Sequence, residues 1–156
     1  MLSVDIPGFG NIQATHLVSD FTGTLSVDGI LIPGVREKLL KIQEILTVHV
    51  VTADTFGQAK IQLDGIDCRL HVISGDQLDV QKEHYVRQLG ADHVVAIGNG
   101  NNDRLMLKAA RLGIAVVEAE GGAVGAIQNS DILVRGILDG LSLLLNQKRI
   151  VATLRT

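Results

Sequence analysis

Residues 13–24, QATHLVSDFTGT, decide how the chain is read. An apolar run ends on Leu17, Val18 and Ser19; Asp20 follows at once, and Gly23 loosens the backbone just beyond it. That is the pattern of a buried strand delivering a carboxylate at its carboxyl end, where open α/β sheets hold their ligands. Working outward, short β-branched runs alternate with helical patterns along the rest of the chain, the signature of βαβ units and a mainly parallel sheet.

The neighbouring segments fit that frame. Residues 2–6 read as a strand pairing beside the 13–19 strand through a turn at 7–10. Residues 23–33, GTLSVDGILIP, read as a hairpin flap, because Asp28-Gly29 is a strong turn dipeptide between two alternating stretches. A helix begins near Gly34, with Val35, Leu39, Ile42 and Leu46 on one face. Then come strand 47–51, helix 56–63, strand 69–73, helix 80–89, strand 93–97, helix 103–111 with Leu105, Ala109 and Leu112 inside, and strand 114–117. Segments 121–128, 131–134 and 137–145 repeat the alternation. The expected architecture is a three-layer, Rossmann-like α/β fold making one domain of 1–156, with no large cap.

The 156 residues are 46% hydrophobic, enough for one substantial core. Seventeen glycines against two prolines, with no Trp, one Tyr and three Phe, suit many tight strand-to-helix turns and a core of Leu, Ile, Val and Ala. A formal charge of −3 speaks against a nucleic-acid or anionic-membrane partner. No uncharged apolar stretch approaches the ~20 residues that span a bilayer, and MLSVDIPGFG is not a basic leader followed by an apolar run. The lone Cys68 excludes an intramolecular disulfide framework and reads as a small buried residue in a reducing cytoplasm. The expected partner is a small molecule.

Four features, each at the carboxyl end of an expected strand, carry the chemistry. Asp20, in Asp20-Phe21-Thr22-Gly23-Thr24, can attack phosphorus and form an aspartyl-phosphate, or cap a turn. Thr52, before Ala53 and Asp54, can donate to a phosphoryl oxygen; alternatively Thr52 or Asp54 caps the next helix. Lys82 can neutralise the charge that builds in transfer, although a lone helical lysine is ordinarily solvated; Lys60 competes with it from inside a helix. Finally, Gly98-Asn99-Gly100-Asn101-Asn102-Asp103 is a glycine-hinged run of oxygen donors. With Asp20, its Asn99 and Asp103 suit the hard cation Mg²⁺.

At these residues the chain resembles the haloacid dehalogenase superfamily, and within it the phosphorylation domain of P-type ATPases and their soluble phosphatase-like relatives. Those ATPases carry Asp-Lys-Thr-Gly-Thr, Thr-Gly-Asp and Gly-Asp-Gly-x-Asn-Asp. Here Phe21 stands for the Lys, Ala53 for the Gly and Asn99 for the first Asp of the last motif. Leu112-Gly113-Ile114-Ala115-Val116 and Asn129-Ser130-Asp131 resemble the closing segment. The resemblance implies catalysis by Asp20, Thr22, Thr52 and Lys82, with Phe21 and Ala53 also around the phosphate. It implies Mg²⁺ on Asp20, Thr22, Asn99 and Asp103, supported by Asn102.

Two departures bear on rate. Most phosphatases of the superfamily place a general acid/base aspartate two residues after the nucleophile, where this chain has Thr22; losing such a group typically costs ~10²–10⁴ in rate. Asn99 lowers the charge at the metal. The reading is therefore a magnesium-dependent phosphatase, slow or suited to good leaving groups such as acyl phosphates, against a rival in which Asp20 accepts a phosphoryl group without useful turnover. The interval from Asp20 to Thr52 leaves no room for an inserted nucleotide-binding domain. An uncapped site is expected to lie open unless a second copy of the chain covers it.

The other polar residues read blandly. His16, His49, His71, His84 and His93 lack metal-ligand spacing and are taken as core or surface residues. Gly121–Gly125 lacks the Lys-Ser/Thr ending of a phosphate loop. Residues 137–145 read as core, with 143–145 apolar enough for a dimer seam, and Lys148, Arg149 and Arg155 as solvated or, alternatively, as attracting an anionic substrate.

Overall fold

The computed structural model describes residues 1–54 and 57–156. Leu2–Ile6 (β1) and Gly10–Ala14 (β2) alternate buried and exposed side chains and pair antiparallel. This hairpin stays out of the main sheet. The chain bends at Thr15, whose N–H donates to the His93 carbonyl and whose carbonyl accepts from the Thr47 N–H. Only His16–Ser19 (β3) continues into the sheet. The strand expected over 13–19 is thus two strands, because β3 is paired on both edges and offers none to β1. The hairpin instead buries Leu2, Ile6 and Ile12 in the larger core.

Ser26–Val27 (β4) and Ile30–Leu31 (β5) form the flap, its turn made by Asp28 at φ 51° and Gly29 at φ 79°. Two successive positive-φ residues are what a tight right-twisted hairpin demands. Thr47–Thr52 (β6), Cys68–Val72 (β7), Val94–Gly98 (β8), Leu112–Val116 (β9) and Ile132–Val134 (β10) join β3 in a six-stranded parallel sheet ordered β10-β9-β8-β3-β6-β7. Strands β3, β6, β8 and β9 are almost wholly buried, as strands covered on both faces must be.

Helices cover both faces. Val35–Ile42 (α1), Gln58–Gln62 (α2), Ile137–Leu145 (α6) and Gln147–Leu154 (α7) contribute Leu39, Ala59, Leu141 and Ile150 to one core. Leu78–Gln88 (α3), Arg104–Ala109 (α4) and Val124–Gln128 (α5) contribute Val86, Met106 and Ala126 to a smaller one. Where α4 presses on β9 only glycine fits: a Cβ on Gly113 would lie 2.3 Å from the Leu107 carbonyl oxygen. The helix expected over 56–63 is observed as Gln58–Gln62, its expected first residue, Phe56, lying outside the described residues. Leu112 opens β9 instead of closing α4. Helix α7 was not anticipated: it carries Lys148 and Arg149 outward, as expected of solvated residues, and buries Ile150. Of the 143–145 seam, Leu143 and Leu144 are buried in the core and Leu145 is exposed. Among the described residues no helix is long and apolar enough to cross a membrane.

From β3 the chain adds β6 and β7 on one side, then crosses back to place β8 on the other. That reversal opens a crevice at the carboxyl ends of β3, β6 and β8. Asp20, Thr52 and the 98–103 run all sit there.

Candidate active site

Asp20 leaves β3 held by its own N–H, which donates to the Ile97 carbonyl on β8 at 3.0 Å. The next carbonyl, of Phe21, accepts from the N–H groups of Thr24, Leu25 and Ser26 and from the Ser26 hydroxyl, which folds the loop back toward the flap. The Phe21 ring is wholly buried in the larger core. An apolar anchor thus stiffens the turn that aims Asp20, and what Phe21 can offer a ligand is backbone. Thr22 projects outward and lines the cavity beyond Asp20.

Lys82 turns inward from α3 and is completely buried. Its Nζ lies 2.7 Å from Asp20 Oδ1 and 2.6 Å from Asp103 Oδ1, with Asn102 Oδ1 at 3.4 Å. A buried ammonium needs such partners, and two carboxylates supply them. Burial raises the Asp20 carboxyl to about 7, Asp103 adds repulsion, and Lys82 opposes both. Burial alone would lower the Lys82 ammonium, but the attraction of Asp20 and Asp103 outweighs it and holds the group above its ordinary value. Lys60, the competing lysine, lies exposed on α2.

Asp103 stands differently from the expectation of a direct metal ligand. It is fully buried; Oδ1 accepts from Lys82, and Oδ2 accepts the N–H groups of Asn99 at 3.0 Å and Gly100 at 2.8 Å. With both oxygens engaged, it sits behind Lys82 and is not part of the cavity wall. A cavity of about 320 Å³ is lined by Asp20, Thr22, Thr52, Ala53, Asn99, Gly100 and Asn102. Thr52 is 1% exposed at the end of β6. Capping falls to its neighbour Asp54, whose Oδ2 accepts the Ala59 N–H at 2.6 Å.

Sequence reasoning passed over Thr24. Its buried hydroxyl lies 3.4 Å from Asp20 Oδ2 and donates to Asn99 Oδ1 at 3.0 Å, joining the first motif to the last. The signal was present as the closing threonine of the Asp20 motif. It also passed over a row of polar rings that runs from His16 of β3 through the buried His49 of β6 to Tyr85 of α3, with the exposed His71 of β7 against its end. His16 Nδ1 is 3.1 Å from His49 Nε2, His49 Nδ1 is 2.8 Å from the Tyr85 hydroxyl, and His71 stacks on Tyr85. Burial drives His49 down to about 4.

Among the described residues no three His, Cys, Asp or Glu side chains gather to hold a metal. The cavity instead offers one carboxylate, Asp20, beside oxygens of Thr22, Asn99 and Asn102. These are hard donors of the kind that Mg²⁺ accepts alongside water.

A family model described as haloacid dehalogenase-like hydrolase matches residues 79–128, which include Lys82 and the 98–103 run. An uncharacterized protein of Methanocaldococcus jannaschii is 55% identical over 62 residues, covering 40% of this chain and 67% of its own. Among solved structures, the 3-deoxy-D-manno-octulosonate 8-phosphate phosphatase of Moraxella catarrhalis, with magnesium, phosphate and its sugar acid bound, superposes with a TM-score of 0.67. It is 17% identical, over 90% of this chain and 92% of that one. The cobalt-bound deoxy-D-mannose-octulosonate 8-phosphate phosphatase from Haemophilus influenzae gives 0.67 at 13% identity, over 92% and 94% of the two chains. An apo phosphoserine phosphatase gives 0.67 at 14% identity, over 86% and 99%. At such identities these structures share the fold.

Proposed function

Because residues 79–128 match a family model of haloacid dehalogenase-like hydrolases, we propose that this chain is a phosphatase of small phosphorylated molecules that works through an aspartyl-phosphate on Asp20. The observation that carries the reading is the buried Lys82 ammonium, 2.7 Å from Asp20 and 2.6 Å from Asp103, packed beside the Asp20 carboxylate that lines the cavity together with Thr52. An ammonium there opposes the burial and the Asp103 repulsion that raise the Asp20 carboxyl, and it sets positive charge beside the point where a phosphoryl group would meet Asp20. Thr52 and the backbone at Phe21 and Ala53 supply neutral donors around the same point.

In this reading Asp20 Oδ2, on the side away from the lysine contact, attacks phosphorus; the P–O bond to the leaving group breaks as the acyl-phosphate bond forms, and water later hydrolyses that intermediate. Asp20, Thr22 and Asn99 would hold Mg²⁺, which supplies charge neutralisation between the aspartate and the phosphoryl group. Asp103 acts as a positioning residue: its two backbone hydrogen bonds fix it, and it fixes Lys82. The likeness to magnesium- and cobalt-containing phosphatases of the same fold supports a metal-dependent reaction.

The leaving group must take a proton from water or carry little basicity, because Thr22 is a hydroxyl where the superfamily's phosphatases keep a carboxylic acid. That favours acyl phosphates. It also sustains a second reading, a phosphoryl-accepting module with negligible turnover. Incubation with acetyl phosphate and Mg²⁺, followed by intact-mass analysis and phosphate release, separates the two. Steady release that vanishes in Asp20→Asn supports the phosphatase, whereas a stable phosphoryl adduct without release supports the module. Labelling that survives in Asp20→Asn refutes both.

A further inference from the structure

Asn99 stands where two parts of the fold meet, and its amide addresses both. Oδ1 accepts the Thr24 hydroxyl at 3.0 Å on the Asp20 side, while Nδ2 donates to the Gly121 carbonyl at 3.0 Å. The backbone repeats the link, because the Asn99 carbonyl accepts from the Ala123 N–H at 2.7 Å. The orientation of the amide is fixed by chemistry: a carbonyl only accepts, so the nitrogen must face Gly121 and the oxygen Thr24. Gly23 closes the remaining side, since a Cβ there would lie 2.6 Å from Nδ2.

Gly121 belongs to a turn closed by its N–H on the Glu118 carbonyl, and Glu118 Oε1 accepts the Ile137 N–H at the start of α6. A carboxylate at position 99 would set acceptor against acceptor at Gly121 and leave the turn without this tie. The amide is therefore more than a carboxylate with one charge missing.

We propose that Asn99 couples cation binding to the order of the 118–121 turn. An amide oxygen that ligates a cation draws electron density from its own N–H and strengthens the hydrogen bond that the N–H donates. Occupancy at Oδ1 is thus felt at Gly121, and the turn beside the site tightens when the metal enters. The inference rests on the reading of the cavity as a Mg²⁺ site, and it makes Asn99 a connector that an aspartate cannot replace.

Hydrogen-exchange mass spectrometry over 117–123, with Mg²⁺ alone and no substrate, reads the coupling, and calorimetry on the same samples reads Mg²⁺ binding. In the unaltered protein Mg²⁺ should slow exchange of the turn, by less than the about fivefold that one whole hydrogen bond of ordinary strength gives, because the bond is already made and is only strengthened. Asn99→Asp should bind Mg²⁺ more tightly through its added charge, yet exchange about fivefold faster without metal and show no slowing with it. Asn99→Ala should share the fast turn and bind Mg²⁺ more weakly. Opposite changes in affinity with the same loosening separate coupling from general destabilisation.

Unchanged exchange in Asn99→Asp overturns the tie to Gly121. Mg²⁺ that binds the unaltered protein without slowing the turn overturns the coupling alone. No Mg²⁺ binding at all overturns the metal reading and the coupling with it, and the metal-free exchange of the two variants then still reports on the Gly121 bond by itself.

Discussion

Lys82→Met removes an ammonium from between two buried carboxylates and puts an apolar chain of similar length in its place. Asp20 is 5% exposed and Asp103 not at all, so neither gains water in exchange. Breaking a buried ion pair in this way costs about 3–5 kcal/mol. For a chain of this size each kcal/mol is about 2–4 °C in melting temperature, so a fall of ~10 °C or more is expected. The cost also depends on pH. Asp20 already holds its proton up to about 7, mainly through burial, and loss of the lysine moves that value higher. For an acid whose folded pKa is raised, stability is fully present below the unfolded pKa, near 3.8 for Asp20, and is lost as pH rises toward the folded value. The deficit of Lys82→Met should therefore widen as pH rises above about 7, where Asp20 of the unaltered protein ionises beside its lysine and that of the variant still resists. Urea unfolding followed by circular dichroism measures it, with Lys82→Met/Asp103→Asn alongside. Relieving one carboxylate should recover part of the loss. A single variant within about 1 kcal/mol of the parent, or a double variant worse than the single, would refute the buried charge triad.

Three other perturbations probe separate parts of the molecule. Thr22→Asp supplies the missing proton-transfer group, and phosphate release from acetyl phosphate or an aryl phosphate should rise by about 10² or more; an unchanged rate means that position 22 does not reach the leaving group. Carbon-13 carboxylate NMR of the metal-free protein should titrate Asp20 near 7, with Mg²⁺ lowering the midpoint because a cation favours the charged form; a metal-free midpoint close to 3.8 contradicts the burial argument. His49 is depressed to about 4 from 6.5, so the folded state resists its protonation and the stability this confers is present above 6.5 and lost as pH falls through that window. His49→Gln should flatten the acid slope, removing on the order of 2 kcal/mol of pH-dependent stability, and an undiminished slope in denaturant titrations would place the acid sensitivity elsewhere.

Much of the site was legible because its residues stand at strand ends, and strand ends are read from local pattern. Asp20, Thr52 and the 98–103 run each follow a β-branched segment, and the Asp28-Gly29 flap turn follows from the φ > 0 tolerance of its residues. The separate 2–14 hairpin was not legible, because an alternating strand does not say which edge is free to receive it. The His16–His49–Tyr85 row was likewise hidden: positions that local pattern assigns simply to strands become partners only when β3 and β6 lie side by side under α3.

The sequence by itself determined the class of fold, the carboxylate at its focus and the types of donor around it, since periodicity and turn chemistry are properties of neighbouring residues. Only the tertiary structure decided how the donors divide the work. It turned Lys82 inward from a helix where a lysine is ordinarily solvated, put Asp103 behind that lysine with both oxygens engaged, and set the Asn99 amide between Thr24 and Gly121. Such assignments depend on which lone pairs and protons are already used by groups far away in the chain, and that is settled only when the strands pack.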